Sequence, residues 1–481
     1  MSLVDASRDA LDAAAGPGGR RATSEFQLGR FAALAAGVLV LPVFLHVNGW
    51  HVGLGQSNRL GLRTPGVTLP LNVVAIAALL GLATVWPGGH LARVPRRMVG
   101  LLAAFVAVQL AAFGWGAMRP VSGAGSSLGA MYLAQSLLPL CAFVLFYRLA
   151  ATEGLAVVAW VARSAGVVLG VVCALLLVAT VVSGTDPLSG FHDSLGPIVI
   201  SKAARFFPTA VSVFTAWLLS FGWRQRSVAH AVFGLCALGV LAISHSRTAL
   251  LIGVVLSAVV TVRMLSGRRR LALAGALLLS ASVMLVALSQ LEPTTDGEGN
   301  SLWRSASRMA DVLHDTSDND NRLAAITGSL RSGLGRPFGN AYRATEELGT
   351  NGRRTMVARV AVSENLYGEF AARSGPLGLA TFMAIMVVAV RSAVSLRARR
   401  DSERLSVAWL MPALVLLVPL GGLTQLNATE FYIAPLSWAL MGLAIGVADH
   451  VRRVERTVAV GEGDGHSNRS AGATRAMIAS S

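Results

Sequence analysis

The sequence predicts an all-α polytopic membrane protein with about twelve transmembrane helices and one large extracytoplasmic loop containing short amphipathic helices. Three observations carry that prediction. Of the 481 residues, 54% are hydrophobic and only 14% charged, with a mean hydropathy of +0.60, far from the balance of a water-soluble domain. Apolar windows of about 20 residues, the length that crosses roughly 30 Å of hydrocarbon as a helix, recur along most of the chain. The arginines fall between those windows, mostly on alternate sides.

In chain order, residues 1–29 are rich in Ala, Gly and charge and are expected to form a disordered cytoplasmic N-terminus. The first hydrophobic run lacks a clear cleavage site and is expected to be an uncleaved anchor. The membrane domain is expected over 30–450, with windows near 30–47, 68–86, 98–117, 128–147, 164–183, 206–223, 228–244, 247–265, 271–291, 376–396, 405–424 and 431–448. Residues 451–481 are expected to be a disordered cytoplasmic tail.

The formal net charge of +16 does not mark a nucleic-acid binder, because the basic residues punctuate the spans instead of forming one patch. Segments expected inside carry clusters such as Arg93, Arg96 and Arg97, or Arg452, Arg453 and Arg456, whereas short outside segments are sparsely basic. Both termini are therefore expected inside. Cys141, Cys173 and Cys236 lie within apolar windows and are too scattered for a disulfide framework or a metal site. No metal or cofactor is expected; Asp186, His192 and Asp193 of "TDPLSGFHD" are a weak cluster.

By the parity of the windows, the long loop 292–375 lies outside, and its ten arginines do not oppose that placement, because long loops escape the charge rule. Within it, "NSLWRSASRMADVLHD" and "DNRLAAITGSLRSG" show helical periodicity, so two amphipathic helices at the membrane surface are expected. "SGLGRPFGNAY" follows as a glycine-rich turn of the kind that lets a ligand approach backbone N–H groups.

Three polar stretches are candidates for chemistry. In "ISHSRTALLIG", Arg247 stands between two windows with His245 two residues away. Arg247 either snorkels to headgroups or clamps an anion. In "VISKAARFFPTAVSVF", Lys202 and Arg205 either flank a span or hold a phosphate. In "VSENLYGEFAARSGPLGLATF", Glu364 and Asn365 open a polar run through Glu369 and Arg373 to the Gly375–Pro376 break. A carboxylate there either forms an ion pair with an arginine or acts as a general base.

The order and spacing of these pieces resemble the O-antigen ligase and O-antigen polymerase superfamily, bacterial membrane enzymes that move glycans from polyprenyl diphosphate carriers. "SHSRTALLIG" resembles the family's Ser-Arg-rich start of a span. "NRLAAITGSLRSGLGRPFGNAY" resembles its passage in the large outer loop, and "SENLYGEFAARSGPLGLATF" is similar to its segment leading into a Gly-x-x-Gly span. Glu364 stands where the family usually has histidine. The resemblance implies a metal-independent transferase of the bacterial cytoplasmic membrane with its site facing outward. Arg247, supported by Arg205 and Lys202, would bind the diphosphate, while Glu364, or His245 as its rival, would take the proton of the acceptor hydroxyl. Arg322, Arg336 and Arg373 are further loop candidates. The implied partners are a polyprenyl-diphosphate-linked glycan donor, a glycan or lipid acceptor, and membrane lipids.

The competing readings are a lipid-linked oligosaccharide flippase or other transporter and a non-catalytic scaffold of an envelope complex. Transporters place polar residues near the bilayer midplane in related halves, whereas the polar residues singled out here cluster toward one face.

Overall fold

The computed structural model describes residues 30–38 except 33, 46–47, 61–64, 67–85, 91–118, 123–158, 317–342, 344–348, 354–358, 365–396, 404–423 and 434–463, with 198–199 and scattered positions between 160 and 259. The windows expected over 206–223, 228–244 and 271–291, the helix expected near 300–315 and both expected disordered ends beyond 463 and before 30 lie outside the described residues.

Among the described residues, eight helices have fixed bounds: α1 (Leu71–Val85), α2 (Arg96–Ala117), α3 (Gly123–Leu137), α4 (Leu140–Glu153), α5 (Ser317–Leu334), α6 (Leu366–Ser395), α7 (Arg404–Gly421) and α8 (Ala434–Gly463). Three short antiparallel ladders accompany them. β1 (His46–Val47) pairs with β4 (Ile198–Val199), β2 (Gly61–Thr64) with β3 (Val67–Pro70), and β5 (Ala344–Leu348) with β6 (Arg354–Ala358). The β5–β6 ladder lies in the long loop, where only helices were expected, and it rests against α3.

Among the described residues, four helices are long and apolar enough to cross a membrane: Arg96–Ala117, Tyr132–Glu153, Leu366–Ser395 and Ala434–Arg456. The described part is that of a helical membrane protein. The second of these spans joins α3 to α4 across Leu138–Pro139, where the missing proline N–H breaks the hydrogen-bond ladder.

The core is an aromatic knot tying four helices together. Trp438 of α8 is fully buried and meets Phe105 of α2 at 5.4 Å, Phe143 of α4 at 6.2 Å and Phe382 of α6 at 5.9 Å between ring centroids. Phe370 stacks on Phe382 at 4.3 Å. Around this knot, α4 and α8 run parallel and close, because Gly442 and Gly446 present bare backbone to the carbonyls of Phe143 and Tyr147. Small residues spaced by four let membrane helices approach in this way, gaining dispersion contacts where lipid offers no hydrophobic drive.

The two ends of the bundle differ chemically. At one end Arg148 donates to the carbonyls of Ala92 (3.3 Å) and Leu91 (3.4 Å), and Arg453 donates to Ala151 O, satisfying a carbonyl at the C-terminus of α4. Tyr147 donates to Asp449 at 2.7 Å, and Asp449 pairs with Arg452. That i,i+3 pair and the bonds from Arg452 and Arg453 to carbonyls one turn back lie along α8, which runs on to Gly463. Residues 451–463 are therefore helix, a correction to the disordered tail expected from 451. At the other end lie Met118, the turn after α5, and the first half of α6.

Candidate functional site

The loop end is organised by a proline. Helix α6 begins at Leu366, capped by Asn365, whose side chain accepts from Gly368 N at 2.5 Å. Leu366 N donates to Gly422 O at 2.8 Å, fastening this start to the end of α7. Nearly three turns on, Pro376 has no N–H to give to Ala372 O, its i−4 partner. Asn340 N, from the turn after α5, donates to that carbonyl instead, at 2.6 Å. The chain bends there at Gly375, with φ 71° and ψ −167°, a region essentially reserved for glycine.

The turn reaches the helix because glycines remove the intervening side chains. A Cβ on Gly375 would lie 2.2 Å from Pro337 O, and one on Gly339 would lie 2.4 Å from Ala371 O. The glycine-rich passage expected to bring backbone close to a ligand thus brings it close to α6. Upstream, α5 is the expected helix over "DNRLAAITGSLRSG"; Ser329 and Gly333 are buried, Gly333 directly against Ala371, while Leu323 and Leu334 are exposed.

The turn ends in two non-glycine residues in the left-handed region, Ala341 (φ 55°) and Tyr342 (φ 59°), which costs on the order of 1 kcal/mol or more for each. Tyr342 is buried, and its ring meets Phe113 of α2 edge-on at 6.3 Å. Its hydroxyl hydrogen-bonds to Gln109 Oε1 of α2 and lies 3.1 Å from Ser136 Oγ of α3. Burial pushes the phenol up to about 12.

Ser136 also serves Arg373 of α6. Arg373 donates from Nη1 to Ser136 Oγ (3.2 Å) and Tyr132 O (3.4 Å), and from Nη2 to Gln135 Oε1 (3.3 Å). Its guanidinium stacks over the Tyr132 ring at 4.8 Å and pairs with Glu369 one turn earlier. Both side chains are almost wholly buried, at 2% and 1% exposure. An ion pair so far from water is supported by the acceptors that α3 offers to both terminal nitrogens of the guanidinium. Gln109 Nε2 and Arg373 Nε have no hydrogen-bond partner among the described residues.

Of the residues singled out from the sequence, Lys202, Arg205, His245, Arg247 and Glu364 lie outside the described residues. Asn365, next in sequence to Glu364, is the cap of α6. Arg373 is no open loop arginine but a buried member of a helix, a correction whose cause is the Glu369 carboxylate one turn away. Arg336 is exposed on the turn and donates to Asn340 Oδ1 at 3.3 Å. Arg322 lies on α5. Tyr342, Gln109 and Ser136 were not foreseen; the available signal was Gln109, a polar residue inside an apolar window. Among the described residues no three His, Cys, Asp or Glu side chains come together as a metal site.

No family model, curated protein or solved structure matches the chain.

Proposed function

We propose that the chain is a metal-independent membrane glycosyltransferase of the O-antigen ligase and polymerase type, moving or polymerising a glycan from a polyprenyl diphosphate carrier. Support comes from one observation above the others. Two of the three segments that carry the resemblance, "NRLAAITGSLRSGLGRPFGNAY" and "SENLYGEFAARSGPLGLATF", dock on each other through Asn340 and Ala372 and through Gly339 and Gly375. Segments that build one site have to meet, and these do. The bundle's arginine-rich end then belongs in the cytoplasm by the positive-inside rule, which turns the loop end outward.

In the reaction, the acceptor oxygen attacks the anomeric carbon of the donor as its proton passes to Glu364. The bond from that carbon to the carrier's diphosphate breaks, and the electron pair leaves with the phosphate oxygen. Arg247, with Arg205 and Lys202, stabilises the charge gathering there. The turn carries Arg336 at the same end of the bundle as Asn365, close in sequence to the proposed base.

The test follows free polyprenyl diphosphate released from a native lipid-linked glycan by the purified chain in nanodiscs. Release by wild type that falls at least about a hundredfold in Arg247→Ala and Glu364→Gln, but persists in His245→Ala, is expected. Loss in His245→Ala alone moves the base to that residue. No release, with the same lipid changing leaflet in vesicles, refutes the transferase in favour of a flippase.

A further inference from the structure

We propose that the turn from Arg336 to Tyr342 is a strained latch, held on the bundle by the Tyr342 hydroxyl and released together with the Gly375–Pro376 kink of α6. The latch rests on the geometry of this end alone and assumes nothing about the reaction.

Left-handed backbone is tolerated at single residues and rarely at two neighbours that both carry Cβ atoms. Ala341 and Tyr342 are such neighbours. Their conformation is opposed by the backbone and has to be held from outside. The holding group is the Tyr342 side chain, buried against Phe113 and hydrogen-bonded to Gln109 of α2 and Ser136 of α3. One hydroxyl therefore fastens the loop to two membrane helices.

The second anchor is two residues away, where Asn340 N–H supplies the bond that Pro376 cannot give to Ala372 O. The two anchors are too close along the chain to act separately. When Tyr342 leaves its site, Ala341 and Tyr342 relax out of the left-handed region, and the change in φ swings Asn340 away from Ala372. The Ala372 carbonyl then lacks a donor, so α6 readjusts at Gly375, the one residue in the helix with non-helical angles. The same event removes a neighbour from Ser136 Oγ, which accepts from Arg373. Docked and released states of the loop are thereby tied to the bend of a membrane helix and to the surroundings of the Glu369–Arg373 pair.

Hydrogen exchange on the full chain in nanodiscs tests this. Tyr342→Phe keeps the ring and deletes the hydroxyl. Amides of 336–342 and 371–375 are expected to exchange faster by a common factor of about ten, while those of 143–151 and 440–448 keep their wild-type rates. Acceleration confined to residue 342 and its neighbours, or none, overturns the coupling. Acceleration throughout α4 and α8 also overturns the latch, because Tyr342 would then support the whole bundle.

Ala341→Gly supplies the opposite sign. It keeps the hydroxyl and relieves the strain, so exchange in both segments is expected to slow about threefold. Unchanged or faster exchange refutes the stored strain. Carrier release measured on the same wild-type preparation is a separate result: its absence removes the transferase reading and leaves the exchange pattern to decide the latch.

Discussion

Replacing Gly375 by alanine probes the joint between the loop and the bent helix. Its backbone angles, φ 71° and ψ −167°, cost a residue with a Cβ about 1–3 kcal/mol. The added methyl would also stand 2.2 Å from Pro337 O and 2.7 Å from Gly339 N. Both neighbours are backbone, so no rotamer change relieves the contact, and the turn has to retreat by about an ångström to reach van der Waals distance. Retreat breaks the bond from Asn340 N to Ala372 O, worth about 1 kcal/mol, and strands a carbonyl that Pro376 cannot satisfy, about 1–3 kcal/mol more. The sum is about 3–7 kcal/mol against the docked state. Hydrogen exchange of residues 336–342 reads this directly, with an expected acceleration of at least about a hundredfold. Gly114→Ala is the control, because a Cβ there meets nothing within 4 Å and alanine suits a helix interior better than glycine. Protection of the turn within a few-fold of wild type in Gly375→Ala would refute the argument that the bend and the docking are one structure.

Two further outcomes follow from the buried polar groups. Arg373→Met leaves the Glu369 carboxylate without its ion-pair partner and is expected to lower stability by about 3–5 kcal/mol, whereas Glu369→Leu combined with Arg373→Met recovers most of that loss in thermal denaturation; a double variant as unstable as the single one would show that the two side chains are not a coupled unit. The Tyr342 phenol, raised by burial from 10.0 to about 12, keeps its proton in the docked state where a released phenol has lost it. Its contribution, about 3 kcal/mol, is therefore complete below pH 10 and is lost as pH rises toward 12. The thermal midpoint of wild type should fall more steeply across that window than that of Tyr342→Phe, and parallel curves would contradict the raised value.

Properties carried by neighbouring residues were legible in the sequence. The apolar runs near 98–117, 376–396 and 431–448 overlap helices α2, α6 and α8, because hydrophobic length is written locally. The periodicity of "DNRLAAITGSLRSG" marks a helix for the same reason. The tenth apolar window starts at 376, because Glu369 and Arg373 are too polar to extend it; one turn apart, they pair with each other and the helix starts at Leu366. Gly442 and Gly446 announce close helix packing by their spacing. The candidate site was less legible. Pro376 announces an orphaned carbonyl, but nothing near it in sequence says that Asn340 supplies the donor. A lone glutamine and a lone tyrosine carry no pattern, so the pairing of Gln109 with Tyr342 emerges only in three dimensions.

The pairing of α4 with α8 also bears on how the protein is made. Tyr147 and its hydrogen-bond partner Asp449 are 302 positions apart, and Trp438, at the centre of the aromatic knot, belongs to the last described helix. During synthesis α4 is in place long before α8 leaves the ribosome, and it presents Phe143, the backbone that Gly442 and Gly446 will meet and an unused phenol to whatever lies beside it. Closing so long a loop is slow, and chains that wait with unpaired surfaces are the ones that misassemble. The described bundle therefore reaches its final arrangement only once α8 has been made.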